Sequence, residues 1–472
     1  MDSSLTTSQK ALKINLDTDI YGTFAEIGAG QDVAGNFFKA GAASGTVAKS
    51  ISAYDMVFSD SIYGKEKSGR YVCRSRLETM IQYEYELVIQ RLSQSRESGR
   101  YFAFANTVSA RNFHGTNEAH GWLGLRFQHE VGSEPSNIIL HIRMHDNTNL
   151  LQQKAIGILG VNMIFASYHS RENSTDFLLS IMENLTRNNI EIDMISVDGP
   201  GFKNVDNRLL NLQLLEHNLT DAVLFNENGE ITLASDELYR KSILIARGSY
   251  RPPTFVNLDL MKSGIENFSE DLNLKPEDIV SLAEITINNL NNAGDFAHED
   301  FLARVDLLNS INQPVIITNF ARYYKLPNYL QRFKPSNVAI VLGAYNFMQI
   351  FDEDYSEAGS VLESVSQLIK PNVCVYLYPF REESKNDELV NLETMTVSPH
   401  NEHLLDHIKQ TNSVKDLKGV DDSILHIYSR KVLKMITSSE KGWEKYVPEE
   451  ISKTINENCL FGHPCILDSN ED

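Results

Sequence analysis

The stretch Ile243–Met261, "ILIARGSYRPPTFVNLDLM", decides how the chain is read. It runs as an apolar strand, a glycine turn that carries arginines and two prolines, and then an amphipathic helix. A glycine at such a turn lets backbone N–H groups approach a phosphate, and the following helix presents its positive end to it. Thr254 stands where an N-cap belongs, with a hydroxyl suited to a phosphate oxygen. The stretch therefore predicts an anion site at the mouth of an α/β domain.

The residues around it extend the same alternation. From Leu238 the pattern reads strand (Ser242–Ala246), helix (Thr254–Phe268), an acidic segment, and helix (His298–Ile311). Strands "PVIITNF", "NVAIVLG" and "NVCVYLYPF" follow, separated by helical segments, and the close is helical. This is the pattern of an open, doubly wound α/β domain over residues 238–472, whose ligands sit at the carboxyl ends of the strands.

Within that domain the residues resemble a known family. Gly248, Ser249, Tyr250, Pro252 and Thr254 match the amino-terminal signature of the nicotinamide/nicotinate mononucleotide adenylyltransferases, with Asn257 where the family has histidine. About 180 residues on, a span one domain of this kind needs, Ile427, Ser429, Lys431 and Val432 are similar to the carboxyl-terminal signature. Tyr446, Val447 and Pro448 follow it as in the family, but Leu433 replaces its arginine. Between the two, "VAIVLGAYNFMQIF" resembles the family's strand-Gly-Ala-Asp step, with Tyr345 for the aspartate.

The resemblance implies a Rossmann-like nucleotidyltransferase domain that takes ATP, with Mg²⁺, and transfers AMP to a mononucleotide. It implies nucleotide contacts at Gly248, Ser249, Tyr250, Arg251, Gly343, Ser429 and Arg430, and catalytic positions at Thr254, Asn257 and Lys431. Such a transfer depends on positioning and on donors aimed at the developing charge. Asn257 is neutral and Leu433 donates nothing, and each lost donor costs on the order of 10²–10³ in rate. The expectation is a retained nucleotide pocket with weakened transfer, or a catalytically silent nucleotide sensor.

Composition limits the alternatives. At 472 residues the chain is long enough for two domains. A formal charge of −20 disfavours nucleic acid and anionic membranes as partners, so a small-molecule nucleotide needs a locally basic site. The most apolar run, Ala155–Tyr168, is too short to cross a bilayer, and a cytoplasmic location is the default expectation. Four cysteines in so long a chain do not form a disulfide framework. "CLFGHPC" near the carboxyl end offers three zinc-type ligands and lacks a fourth, so no metal is expected and reduced structural thiols are.

Residues 1–237 read as an α+β domain that resembles no family of known function. Its glycine-rich "GAGQDVAG" lacks the third glycine of a dinucleotide fingerprint, and "YGTFAE" before it makes a poor buried strand. Packing of helices through small residues is the favoured reading. Segments "RYFAFANTVSA", "GWLGLRFQHEV" and "NIILHIRMHD" alternate and predict an antiparallel meander. Alternation places Arg126 on one face of the second segment and His141, Arg143 and His145 on one face of the third. With His120 at the preceding turn, His120, Arg126, His141 and Arg143 form a candidate site for an anionic small molecule, or else a solvated sheet face. Strands at "VNMIFASY", "IEIDMISV" and "DAVLFN" then predict a parallel α/β unit, and "FNENGEITL" an Asn-Gly hairpin.

Overall fold

A computed structural model describes residues 5–287, 297–355, 357, 359–382 and 388–464. The chain divides into two compact units, Met1–Thr220 and Asp221–Asp472. The division falls upstream of the expected Leu238 because the hairpin Ala222–Thr232 joins the second sheet.

The first unit holds strands β1 (Ile20–Gly28), β2 (Val47–Ala53), β3 (Arg100–Ser109), β4 (His120–Phe127), β5 (Ser136–Met144) and β6 (Ile190–Asp198). Their order is β2-β1-β3-β4-β5-β6. β1 runs parallel to β2 and β3, whereas β3 to β6 form an antiparallel meander. Alternation along β3 separates two layers: Phe102 and Phe104 enter the main core, while Tyr101 and Ala103 meet Tyr85 and Val88 of helix Arg74–Leu92. That helix sits close over β4 at Gly124, where an added Cβ would lie 3.0 Å from Leu77 and 3.1 Å from Ile81.

Two expectations fail here. "YGTFAE" forms most of β1, a strand flanked on both sides and buried along most of its length. "VNMIFASY" is no strand; it lies inside helix Asn149–His169, which is buried on nearly every side. A helix apolar all round shows no amphipathic period to tell it from a buried strand. "IEIDMISV" is β6, but antiparallel to β5, so the parallel unit predicted after Gly160 does not exist.

The glycine-rich segment does pack helices. A Cβ at Gly160 would lie 2.5 Å from a methyl of Val33, so only glycine lets helix Asn149–His169 approach helix Val33–Ala40 this closely. The start of the Val33 helix is filled from within: the Glu26 carboxylate accepts from Val33 N–H at 2.7 Å and from Ala34 N–H at 3.4 Å. A dinucleotide phosphate would need those same donors.

The second unit carries β7 (Ala222–Phe225), β8 (Ile231–Thr232), β9 (Ser242–Arg247), β10 (Ile279–Thr286), β11 (Val315–Thr318), β12 (Asn337–Gly343), β13 (Val373–Tyr378), the small pair β14 (Phe380–Glu382) and β15 (Glu388–Val390), and β16 (Val414–Asp416). The main sheet runs β16-β13-β12-β9-β10-β11-β7-β8. β16, β13, β12, β9, β10 and β11 are parallel, and the Asn228-Gly229 hairpin β7–β8 closes one edge antiparallel to β11. Chain order reverses direction between β9 and β12, the crevice where doubly wound sheets hold ligands. The sequence reading missed β10, hidden in its acidic segment. The first unit is thus α+β around an antiparallel meander and the second α/β, and no helix of the described residues is long and apolar enough to cross a membrane.

Burial raises the Glu26 carboxyl to about 7, despite the backbone donors that favour its charge. The folded chain thus holds this proton at pH values where the unfolded chain has lost it. Stability must fall as pH rises from about 4.5 to about 7, by on the order of 3 kcal/mol for this group. Glu26→Gln removes the dependence, so urea unfolding should show the variant gaining on wild type between pH 5 and pH 8. An unchanged difference at the two pH values would contradict the assignment.

Candidate functional site

β9 ends in Arg247, and that side chain sets the geometry of the turn beyond it. Arg247 and Glu284 are register partners on β9 and β10 and form a buried two-pronged ion pair, one arm at 2.8 Å. The Thr318 hydroxyl donates to the same carboxylate, and the guanidinium lies 4.4 Å from the Tyr323 ring centre. Burial works against the arginine's charge, but Glu284, by charge and by hydrogen bond, raises its pKa above the usual value. This cation is therefore committed to the fold.

The glycine turn is built tightly over it. Gly248 N–H donates to the Glu284 carbonyl at 3.1 Å, extending the sheet by one residue. Tyr250 takes a left-handed backbone (φ 46°), and its buried hydroxyl donates to the Ala246 carbonyl at 2.7 Å. Its ring would lie 3.0 Å from a Cβ at position 248, which is why glycine stands there. Arg251–Pro252 is a cis peptide.

Arg251 turns away from the strand ends. It forms an ion pair with Asp300 at 2.5 Å, and Arg304 pairs with the other oxygen of the same carboxylate. Arg304 also donates to the Ser249 carbonyl at 3.2 Å. Burial lowers the Arg304 pKa, Asp300 opposes this and Arg251 adds to it.

Thr254 is the N-cap of helix Phe255–Leu272, as predicted, but its side chain is buried. Its hydroxyl donates to Asn257 Oδ1 at 3.1 Å, and its N–H donates to the same oxygen at 2.9 Å. Two of the three positions expected to carry catalysis, Thr254 and Asn257, thus satisfy each other at a helix start. From the second signature, Ser429 Oγ approaches Asn257 Oδ1 to 3.5 Å. Segments 172 residues apart in sequence therefore meet at this point.

A cleft of about 540 Å³ opens at the carboxyl ends of the strands. Arg247, Gly248 and Ser249 line it from β9, and Thr286 from β10. Arg322 and Tyr323 follow β11, Asn346 follows β12, and Arg430 comes from helix Ser429–Thr437. Asp352 and Asp354 complete one wall. Arg430 is exposed, and its guanidinium makes no ion pair among the described residues.

Of the residues named from the sequence, Gly248, Ser249 and Arg430 share the cleft. Tyr250, Arg251, Thr254, Asn257, Gly343, Ser429 and Lys431 do not line it. Tyr250 packs beneath the turn, Lys431 is exposed 4.8 Å from the Tyr428 ring centre, and Gly343 ends β12 as the cap of helix Ala344–Gln349. Sequence reasoning missed Arg322 and the two aspartates, which lie outside any recognisable motif, and passed over Asn346, which stands one residue after Tyr345 inside the quoted "VAIVLGAYNFMQIF". Among the described residues no group of three or more His, Cys, Asp or Glu is placed to hold a metal ion. Cys73 and Cys374 are free, as expected, but Cys459 is disulfide-bonded, so it offers no thiolate to zinc.

In the first unit Arg126 separates from the rest of its predicted cluster. It lies opposite Asn137 and donates to it at 2.9 Å, six residues along β4 from His120. His120, His141 and Arg143 do fall together at the other end of the sheet.

No family model matches the chain, and no curated protein does. Among solved structures it is similar to a nicotinic acid mononucleotide adenylyltransferase of Plasmodium falciparum, at 14% identity over 48% of this chain and 98% of that one, with a TM-score of 0.31. A nicotinate-nucleotide adenylyltransferase described for Vibrio parahaemolyticus gives 14% identity, 48% and 97% coverage and a TM-score of 0.24. The competence/damage inducible protein CihA of Agrobacterium tumefaciens gives 17% identity, 35% and 98% coverage and a TM-score of 0.26. These likenesses are distant.

Glu284→Ala should strand a buried guanidinium and lower stability by roughly 3–5 kcal/mol, as loss of one partner of a buried pair does. Denaturant unfolding reads this directly. A loss under about 1 kcal/mol, the scale of an exposed pair, would show that Arg247 is not held as described.

Proposed function

We propose that the unit Asp221–Asp472 binds an adenine nucleotide, its phosphates lying against Ser249 and Arg430 at the β9–β12 crevice. One observation carries the reading: Gly248 and Ser249 of the first signature line the same cleft as Arg430 of the second. Arg322 adds a second positive group, and the position at the switch of strand order is where such sheets take ligands. Arg430 supplies the local positive charge that such a ligand needs on a strongly acidic chain, since Arg247 is taken by Glu284, Arg322 lies 3.9 Å from Glu357, and Asp352 and Asp354 line the same cleft.

The reaction this arrangement would support is transfer of AMP from ATP to nicotinate or nicotinamide mononucleotide, releasing pyrophosphate. Oxygen of the mononucleotide phosphate attacks the α-phosphorus of ATP, and the bond to the β-phosphate oxygen breaks. Ser249 and Arg430 would hold the phosphates in line. Magnesium would arrive on the triphosphate; among the described residues the carboxylates that line the cleft are Asp352 and Asp354. Transfer should be slow, because Thr254 and Asn257 are spent on each other and Leu433 has no donor. Binding with little turnover is the expected behaviour.

Calorimetry with ATP and Mg²⁺ should detect binding to wild type and a loss of tenfold or more for Arg430→Ala, the scale of one charge-assisted contact. Equal affinity in the two would refute the placement. Pyrophosphate release with ATP and either mononucleotide should be low and should rise in Asn257→His/Leu433→Arg. A protein that binds ATP, releases none and gains none in that variant is a nucleotide sensor rather than an enzyme.

A further inference from the structure

The first unit contains a chain of titratable groups that the nucleotide reading does not use. His141 on β5 is buried, 3% exposed, and its Nδ1 lies 2.5 Å from Asp193 Oδ1 on β6. Its Nε2 lies 3.1 Å from Nδ1 of His120, the first residue of β4. The Trp122 ring stands edge-on to His141 at 4.8 Å and closes one side. The carboxylate can only accept, so His141 Nδ1 carries a hydrogen. When the pair is neutral, His141 Nε2 must accept from His120 Nδ1–H, which leaves a lone pair on His120 Nε2.

The surroundings fit an anion. His120 faces Arg143 in the strand register, and Arg143 pairs at 2.7 Å with the exposed Glu118. Arg70 is close enough to act on His120 by charge. The links after β3 and β5 leave from this end of the sheet. They line an open surface pocket of about 510 Å³ with Arg111, Asn112, His114, Asn147 and the almost fully exposed Phe113. Burial, followed by the charges of His141, Arg143 and Arg70, holds His120 down to about 4 against the pull of Asp193. His120 by itself is thus neutral at physiological pH.

We propose that Asp193, His141 and His120 form a proton relay serving a small anionic substrate, a carboxylate or phosphate compound bound at this end of the first sheet. His120 Nε2 takes a proton as the substrate's O–H or N–H bond breaks. His120 Nδ1–H passes its own proton to His141 Nε2, and the positive charge comes to rest on His141 beside Asp193. The relay gains one proton and the substrate loses one; the reverse passage returns it. His120 is neutral before and after, which allows it to act as base and then as acid.

The test is NMR of the full-length chain labelled with [¹⁵N]histidine, titrated from pH 8 to pH 5 with and without inorganic phosphate. Both rings should respond at one shared midpoint, with His120 changing tautomer rather than charge. Asp193→Asn should lower that midpoint by about one pH unit or more, a tenfold loss in proton affinity, and phosphate should raise it. Independent midpoints, an unmoved midpoint in Asp193→Asn, or indifference to phosphate would each overturn the proposal. If Asp193→Asn does not fold, His120→Gln decides: His141 should then titrate without regard to phosphate, and a surviving phosphate response contradicts the relay.

Discussion

The buried pairing of Arg247 with Glu284 is the constraint from which the second unit's site derives. Two opposite charges out of water must satisfy each other, and neighbouring register positions on β9 and β10 allow them to do so. With the Arg247 side chain drawn sideways to β10, the chain leaves β9 through a turn that only a small residue can open. Tyr250 then folds back beneath it, and the next helix begins at Thr254. The cleft inherits its floor from this arrangement, and the arginine nearest the strand end is committed to Glu284 rather than to a ligand.

The same logic moves recognition elsewhere. Arg251 looks in the sequence like a replacement for lost positive charge, yet Asp300 holds it, together with Arg304. Thr254 and Asn257 look like phosphate contacts, yet each satisfies the other at the helix start. Of the signature residues, Gly248 and Ser249 still line the cleft, with Arg430 brought in from the far signature. On the proposed reading such a cleft would hold phosphate through Arg430, while the positions at the helix start that a transfer needs are already satisfied within the fold. The first unit shows the converse, since its aligned donors and acceptors suit proton movement.

The sequence revealed most where a local rule is strong. Apolar β-branched runs bounded by Gly and Pro marked β9, β12 and β13, and the Asn-Gly turn marked the hairpin at the sheet edge. The meander β3–β5 was readable by alternation. Legibility failed where burial erases the pattern, as in helix Asn149–His169, whose faces are nearly all apolar, and in β1, whose glycine and polar residues sit in the core. β10 was lost because its acidic surroundings conceal an ordinary strand, and with it went Glu284, the partner that fixes Arg247. Pairings across distant segments, such as Arg251 with Asp300 or His141 with Asp193, leave no mark in sequence at all.

The convergence of Ser249 and Arg430 on one ligand is most directly measured by a crystal structure grown with a non-hydrolysable ATP analogue and Mg²⁺. The expected density places the triphosphate within hydrogen-bonding distance of both side chains, beyond the ends of β9 and β12, with Arg247 still on Glu284. Nucleotide bound elsewhere, or a cleft that stays vacant at saturating analogue, would contradict it.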